Sequence, residues 1–480
     1  MAIVRSTGKN PASPCGCYPE FIFTGPLIPL VNVIANPFPL TWMTDSAHEH
    51  PGGSCRRSFL RKMVISFPAW TIAGTRLGAA PSGSFAKGFQ LGIDHLAQNR
   101  FQQLRGKRIG LLTHPAGVNR FGTSTIDVLR KAPEVNLIAL FGPEHGIYGN
   151  EKANVPVDDK IDPKTGLPVF SLYGKYRRPT KEMLARIDTM VVDLQDIGAR
   201  SYTYVSCMRY VIEECFLAGK EVVILDRPNP LGGLKVDGPP LEEQWMSYVG
   251  AFQVPYVHGL TIGELANMAM ERPGVLKIPD KVRRQGKLRV IPMIGWRRRM
   301  MWNHTGLRWV PTSPAIPDLS AVLGYPMTGL GAQLGKFAHG YGTRLPFRLI
   351  QYTGRTPETI ASAFTSRNIH GLEFPIVPFT QNSQRHRATY VRVTDWSILR
   401  PTELSLHMMA LACAWDQKNP FAEASDASKG LFNKHVGDSR VLEFLIQKGE
   451  QLPISSLLQN WGDYCQRFRS ESRAWHLYTV

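Results

Sequence analysis

The stretch Arg108–Gly142, RIGLLTHPAGVNRFGTSTIDVLRKAPEVNLIALFG, decides the fold. It opens and closes on short aliphatic runs, RIGLLTH (Arg108–His114) and NLIALFG (Asn136–Gly142), and between them TSTIDVLRKA, from Thr123, spaces its apolar residues as a helix does. Strand, helix and strand in so short a span make a βαβ unit. The alternation continues: the helical KEMLARI precedes TMVVDLQD (Thr189–Asp196), Tyr202–Ala218 reads as a helix stopped by Gly219, and EVVILDRP (Glu221–Pro228) follows. Near-continuous apolar strands separated by helices predict an α/β fold, a parallel sheet with helices on both faces.

That architecture gives the polar residues an address. In open parallel sheets the ligand crevice lies beyond the carboxyl ends of the strands. Those ends deliver His114 and Asn119, then Glu144 and His145, then Asp193, Gln195, Asp196 and Arg200, then Asp226, Arg227 and Asn229. Any one of them could be a loop or capping residue, Asp193 and Asp226 in particular; four strand ends converging on one rim point to a site. In FGPEHGIYG (Phe141–Gly149), Gly142 and Gly146 free the backbone while Pro143 stiffens the approach, so Glu144 is held in place. A glutamate at a crevice floor suits a general acid or base, with His145 to orient it or to bind a substrate hydroxyl. DLQDIGARSYTY (Asp193–Tyr204) is the second dense cluster. There Arg200 suits a carboxylate, and Tyr202 and Tyr204 either hold a sugar ring or staple the helix to the sheet. Thr261 and Glu264 have capping-box spacing and begin a helix; His258 just before them is a further candidate.

The rest of the composition narrows the class. A net charge of +18 favours anionic surroundings, but the basic residues are scattered, clustering only at Arg56/Arg57, Arg177/Arg178 and Arg297–Arg299. With no zinc-ligand spacing, RNA-recognition signature or basic aromatic helix, nucleic acid is not the expected partner. Adjacent Glu144 and His145 do not have HExxH spacing, and no metal or cofactor is expected. Four of the seven cysteines, Cys207, Cys215, Cys413 and Cys465, fall beyond residue 85, and no disulfide framework or CxxC motif is implied. Cys207 and Cys215 sit eight apart in one helical segment, a rise of about 12 Å that no disulfide spans.

The first eighty-odd residues are rich in Pro, Gly and Ser. Within them SCRRSFLRK (Ser54–Lys62), the apolar MVISFPAWTIAG and the small-residue LGAAPSG resemble a twin-arginine export signal. Residues 1–42 then read as an unstructured extension upstream of a true start at Met43, residues 43–85 as the signal, and the mature protein as exported to the periplasm or beyond. No run is long enough for stable membrane insertion.

Taken in order, GLLTHPAGV, FGPEHGIYG, DPKTGLPVFSLYGK, VDLQDIGARSYTYVS, VILDRPNPLGG, GPPLE, VPYVHGLTIGELA and GWRRRMMWNHTGLRWVPTSP resemble the exo-β-N-acetylmuramidase (NamZ-type) family of bacterial peptidoglycan-recycling glycosidases. The resemblance runs from about residue 105 to the end. It implies a Rossmann-like catalytic domain over 88–316, a smaller α+β C-terminal domain over 317–480 closing the cleft, and removal of terminal N-acetylmuramic acid from peptidoglycan-derived sugars or muropeptides. It puts the family's GPEHG glutamate on Glu144, its DxQDxGxRxYTY segment on Asp193, Gln195, Asp196, Arg200, Tyr202 and Tyr204, and its DRPNP on Asp226, Arg227 and Asn229. The chain departs in AHGYGTRLPFR (Ala338–Arg348), where Tyr341 replaces the family's arginine and Arg348 its glutamate. An arginine at 341 would suit the lactyl carboxylate, so specificity between N-acetylmuramic acid and N-acetylglucosamine is open.

Glycoside hydrolysis needs a second group beside Glu144. Asp193, Asp196, a tyrosine such as Tyr204 and the substrate's own acetamido group are the candidates. A nicotinamide or flavin enzyme is disfavoured, because THPAGVNRFG after the first strand lacks GxGxxG. The stronger rival is a non-catalytic protein that binds peptidoglycan amino sugars on the same fold. No sequence feature specifies an oligomeric state.

Overall fold

The run Ile109–Leu112 is apolar apart from Gly110 and is buried end to end, as a strand covered on both faces must be. The computed structural model, which describes residues 88–149 and 160–480, sets this strand at the centre of a seven-stranded sheet. The expected extension and export signal, residues 1–42 and 43–85, lie outside the described residues. After helix α1 (Gly92–Gln98) come β1 (Arg108–Thr113), α2 (Thr125–Lys131), β2 (Asn136–Gly142), β3 (Lys160–Ile161) and β4 (Pro168–Ser171). The chain continues through α3 (Lys181–Ala185), β5 (Thr189–Asp193), α4 (Tyr204–Leu217), β6 (Glu221–Leu225), α5 (Ile262–Glu271), α6 (Asp280–Gln285) and β7 (Leu288–Ile291). Strand order is β3-β4-β2-β1-β5-β6-β7, parallel throughout except that β3 runs against β4 at the edge.

Local signals set the ends of these elements. The Ser124 hydroxyl accepts the Asp127 amide at the start of α2, Thr261 and Glu264 form the capping box of α5, and Gly219 (φ +67°) takes the left-handed turn after α4. Side chains alternate between two apolar clusters, one on each face. Met190 and Val192 of β5 and Val222 and Ile224 of β6 join one, whereas Val191, Val223 and Leu225 join the other beneath α1 and α2. Cys207, Cys215, Cys413 and Cys465 are free thiols.

The C-terminal part begins with α7 (Leu319–Thr328) and contains β8 (Phe337–Ala338), β9 (Leu349–Tyr352), α8 (Pro357–Thr365), β10 (Leu372–Glu373), β11 (Ile376–Gln381), β12 (Gln384–Tyr390) and β13 (Arg392–Val393). An antiparallel sheet of order β11-β12-β9-β8 forms there, with β10 and β13 paired separately. Helices α9 (Glu403–Trp415), α10 (Pro420–Glu423), α11 (Asp426–Val436), α12 (Ser439–Lys448) and α13 (Ile454–Glu471) complete it. The apolar cluster against α4 runs on through Met408 of α9, Phe432 of α11 and Trp461 of α13, so the core crosses residues 316–317 without a break.

Arg200 reinforces that continuity. Its side chain is 1% exposed and donates to the carbonyls of Pro239, Val254, His435 and Val436, the last two at the end of α11. The position expected to grip a substrate carboxylate therefore ties the two halves together. Burial pulls its pKa down to about 10, which leaves it a cation under ordinary conditions. Arg200→Met should lower unfolding free energy in urea by at least about 3 kcal/mol, because buried carbonyls lose a charged donor. Arg200→Lys should recover only part of it, lacking the planar fork. A wild-type midpoint in Arg200→Met would remove this tie.

Candidate active site

Strands β1 and β5 are neighbours whose helical connections leave in opposite directions, to β2 through α2 and to β6 through α4, which creates a topological switch point. The loops leaving these two strands are stitched together across the opening: His114 Nε2 accepts the Gln195 amide N–H at 2.8 Å. With Nε2 accepting, the proton of the neutral ring sits on Nδ1. Burial, then the Arg227 guanidinium, push the His114 pKa down to about 3, so the ring stays neutral.

Beneath the opening lies an ion pair. Arg227 donates from Nε to Asp193 Oδ1 at 2.5 Å and from Nη2 to Oδ2 at 2.8 Å, and its Nη2 also reaches the Val118 carbonyl at 2.7 Å. Thr125 at the start of α2 donates to the same Oδ2. Both carboxylate oxygens of Asp193 are thus engaged. Asp226 is likewise taken up. Its Oδ1 accepts the amides of Arg227 and Gly263, and its Oδ2 accepts the hydroxyls of Thr261 and Tyr478. Asn229 accepts the Leu231 amide and donates to the Leu260 carbonyl, while Gly198 (φ +81°) passes so close that a Cβ would collide with the Asn229 amide.

Tyr202 and Tyr204 act as staples. Tyr202 donates to Thr312 Oγ1 at 2.8 Å and Tyr204 to the Thr312 carbonyl at 2.6 Å. The rings meet edge to face at 4.8 Å, and His114 lies 4.8 Å from Tyr204. The Tyr204 hydroxyl also stands 3.3 Å from the Glu144 carbonyl, so it bolts the β2 turn to the helix that follows β5.

Glu144 occupies that turn, half-buried. The turn is built differently from the expectation: His145 (φ +70°) and Gly146 (φ +71°) take the left-handed conformation, and Gly142 does not. A histidine there costs about 1–2 kcal/mol that the surrounding contacts must offset. The Glu144 Oε2 accepts the Thr203 hydroxyl at 3.2 Å. The Tyr173 hydroxyl also bonds this carboxylate; burial and then the Glu144 charge push its pKa up to about 12.

Asp196 sits on the β5 loop at the switch point. Its Oδ2 accepts the Gly198 amide at 2.8 Å and faces His258 Nε2 at 3.4 Å. The Leu260 amide donates to His258 Nδ1, which puts the proton of the neutral ring on Nε2, aimed at Asp196. Asp196 Oδ1 and Gln195 Oε1 are buried with no hydrogen-bond partner. Tyr325 of α7 completes the wall. Its hydroxyl bonds Ser201, and burial with the charges of Glu144 and Asp196 pushes its pKa up to about 12, so both carboxylates lie within electrostatic reach of one phenol.

The structure therefore gathers Glu144, His145, Gln195, Asp196, Tyr202, Tyr204 and His258 around the crevice. It commits Arg200, Asp226 and Asn229 to interior contacts. Asn119 closes its own loop by accepting the Phe121 and Thr123 amides and, with Arg227, Trp302 and Trp309, lines a neighbouring cavity of about 460 Å³. Tyr341 is 60% exposed on the C-terminal part. Tyr173, Thr203, Thr312 and Tyr325 were not singled out from sequence. Tyr173, Thr203 and Thr312 lie inside the quoted SLYGK, SYTY and WVPTSP motifs, whereas Tyr325 carries no sequence signal of its own. Among the described residues no group of three metal-ligating side chains is drawn together.

The family model for the N-terminal part of exo-β-N-acetylmuramidase NamZ matches residues 109–320, and that for the C-terminal part matches 323–478. The chain is 40% identical over 337 residues to the peptidoglycan β-N-acetylmuramidase NamZ of Bacillus subtilis strain 168, covering 69% of this chain and 79% of that one. Crystal structures of two DUF1343 family proteins from Bacteroides fragilis are similar. One has a TM-score of 0.74 at 34% identity over 83% of this chain and 100% of its own. The other has 0.59 at 26% identity over 82% and 99%.

Asp226 supplies a pH test. Burial raises its pKa from 3.8 to about 7, with the Glu264 charge adding to the effect. Above about pH 4 the unfolded chain has lost a proton that the folded chain keeps, so the stability this group contributes is full below that point and fades as pH rises through about 7. His114, neutral down to about pH 3, works in the opposite direction and is common to both proteins compared. Asp226→Asn should gain stability relative to wild type between pH 4 and pH 7.5 in denaturant titrations. Parallel curves would show that Asp226 is ionised throughout.

Proposed function

The chain belongs to the exo-β-N-acetylmuramidase NamZ family, and from that premise we propose that it is an exo-acting glycoside hydrolase. It removes terminal β-1,4-linked N-acetylmuramic acid from peptidoglycan fragments in cell-wall turnover. The observation that carries the reading is the Glu144 carboxylate, half-buried at the crevice and held by the Thr203 and Tyr173 hydroxyls on a turn bolted down by Tyr204. A carboxyl so placed protonates the glycosidic oxygen as the C1–O bond breaks, and an aromatic wall of Tyr173, Tyr202 and Tyr325 flanks the sugar. His145 supports the turn. Among the described residues no helix is long and apolar enough to cross a membrane. The twin-arginine reading of residues 43–85 extends the proposal to an exported enzyme working on wall fragments outside the cytoplasm.

The rival, a protein that binds amino sugars without cleaving them, predicts a different outcome. Purified protein is incubated with an N-acetylmuramyl-N-acetylglucosamine disaccharide and with aryl β-N-acetylmuramide and β-N-acetylglucosaminide. The expected result is release from the muramyl substrates, with Glu144→Gln slowing the disaccharide by about 10²–10⁴-fold. Equal rates for wild type and Glu144→Gln remove Glu144 from the acid role. Binding of muropeptides without release from any substrate establishes the rival.

A further inference from the structure

We infer that Asp196 is the second catalytic group, receiving the N–H of the substrate's 2-acetamido group while that group's carbonyl oxygen attacks C1. The inference rests on the hydrolase reading above and names the partner that reading leaves open. Elimination begins it. The carboxylate of Asp193 is spent on Arg227 and Thr125, and the Tyr204 hydroxyl on the Thr312 carbonyl. Asp226 lies fully buried beneath Thr261, Gly263 and Tyr478.

Asp196 differs from all of these. It is 5% exposed, at the switch point where the loops of β1 and β5 part. One oxygen is fixed by the Gly198 amide and faced by His258 Nε2–H, and the other has no partner. A buried carboxylate oxygen without a donor is costly in a folded protein and marks a place where a ligand donor belongs. A pinned carboxylate with one open oxygen matches a single directional donor, which the acetamido N–H is. Tyr204, bonded to the Glu144 carbonyl, packs 4.8 Å from His114, whose ring accepts the Gln195 amide next to Asp196, so the two acids stand on adjoining segments of one wall.

The step balances. The acetamido oxygen bonds to C1 as the C1–O bond to the leaving sugar breaks; Glu144 gives its proton to the departing oxygen, and the amide proton passes to Asp196, leaving a neutral oxazoline. Water then bonds to C1 as the ring C1–O bond breaks, Glu144 takes a proton from that water, and Asp196 returns its proton to nitrogen. Both carboxyl groups end as they began, and the anomeric configuration is retained.

Aryl β-muramides whose N-acetyl methyl carries zero, one or two fluorines test this on the wild-type enzyme. Fluorine weakens the amide oxygen as a nucleophile, so the rate should fall steeply along the series, and proton NMR should show the β-anomer released first. Asp196→Asn should lose about 10²–10³-fold in kcat, with the fluorine dependence flattened and the melting temperature near wild type. An α-anomer as first product, a flat fluorine series, or Asp196→Asn within about threefold of wild type each overturns the assignment. Wild type inert on every muramide instead defeats the hydrolase reading and the assignment with it.

Discussion

The ion pair between Asp193 and Arg227 is the constraint on which the crevice depends. Side-chain exposures of 0% and 2% mean that both charges have left water, at a cost of several kcal/mol for each ion. The pair is tolerable because its geometry is bidentate and its remaining capacity is filled by the Thr125 hydroxyl and the Val118 carbonyl. Those contacts join the ends of β5 and β6 to the start of α2 and the loop after β1. Three stretches far apart in sequence, the β1–α2 connection and the ends of β5 and β6, meet at one charge pair, so the floor under the site cannot shift without exposing an uncompensated charge.

A floor built this way divides the polar residues of the rim by role. Asp226 spends its oxygens on α5 and on Tyr478 near the C-terminus, and Glu264, also fully buried, pairs with Arg298. Arg200 spends its guanidinium on backbone carbonyls of both halves. Asp226 and Glu264 have no oxygen left for a ligand, Arg200 keeps only a buried Nε without a partner, and all three hold the walls in position. Unpartnered buried oxygens stand on the β5 loop, at Asp196 Oδ1 and Gln195 Oε1, and the turn that carries Glu144 is tied to the segment after β5 through the Thr203 and Tyr204 hydroxyls. Preorganisation follows from the division, since each group aimed at the crevice stands on a segment that other buried polar contacts immobilise.

The α/β class was legible because it depends on local period. Apolar runs named β1, β2, β5 and β6 within a few residues, and the Thr261–Glu264 spacing named the start of α5. The rim was legible as a set, since strand ends are fixed once strands are. Which members are consumed was not, because consumption is decided by partners far away in sequence: Arg227 lies 34 residues from Asp193, Thr312 108 residues from Tyr204, and Val436 236 residues from Arg200. Arg200 and the two tyrosines look identical in a sequence whether they face a sugar or a carbonyl. The turn at Glu144 shows the same limit at short range. Glycines flank it, yet the left-handed residue beside the carboxylate is His145.

The departures from the family pattern can be weighed on the same physical grounds. Arg348, standing where relatives tend to carry a glutamate, is buried and donates to the Val391 carbonyl from Nε and Nη2 and to the Ser320 hydroxyl from Nη1, stacking on Tyr390. Its charge is absorbed inside the C-terminal part, so this exchange alters how β9 is anchored and leaves the chemistry at Glu144 untouched. Tyr341 is the opposite case, exposed between Gly340 (φ +79°) and Gly342 (φ +78°), both of which keep the left-handed backbone. The loop thus presents a neutral phenol to solvent where the family pattern carries a cation. Reaction class depends on the buried floor, which neither exchange reaches. At 341 the chain offers a neutral phenol, so recognition of an anionic substituent there has to come from other groups.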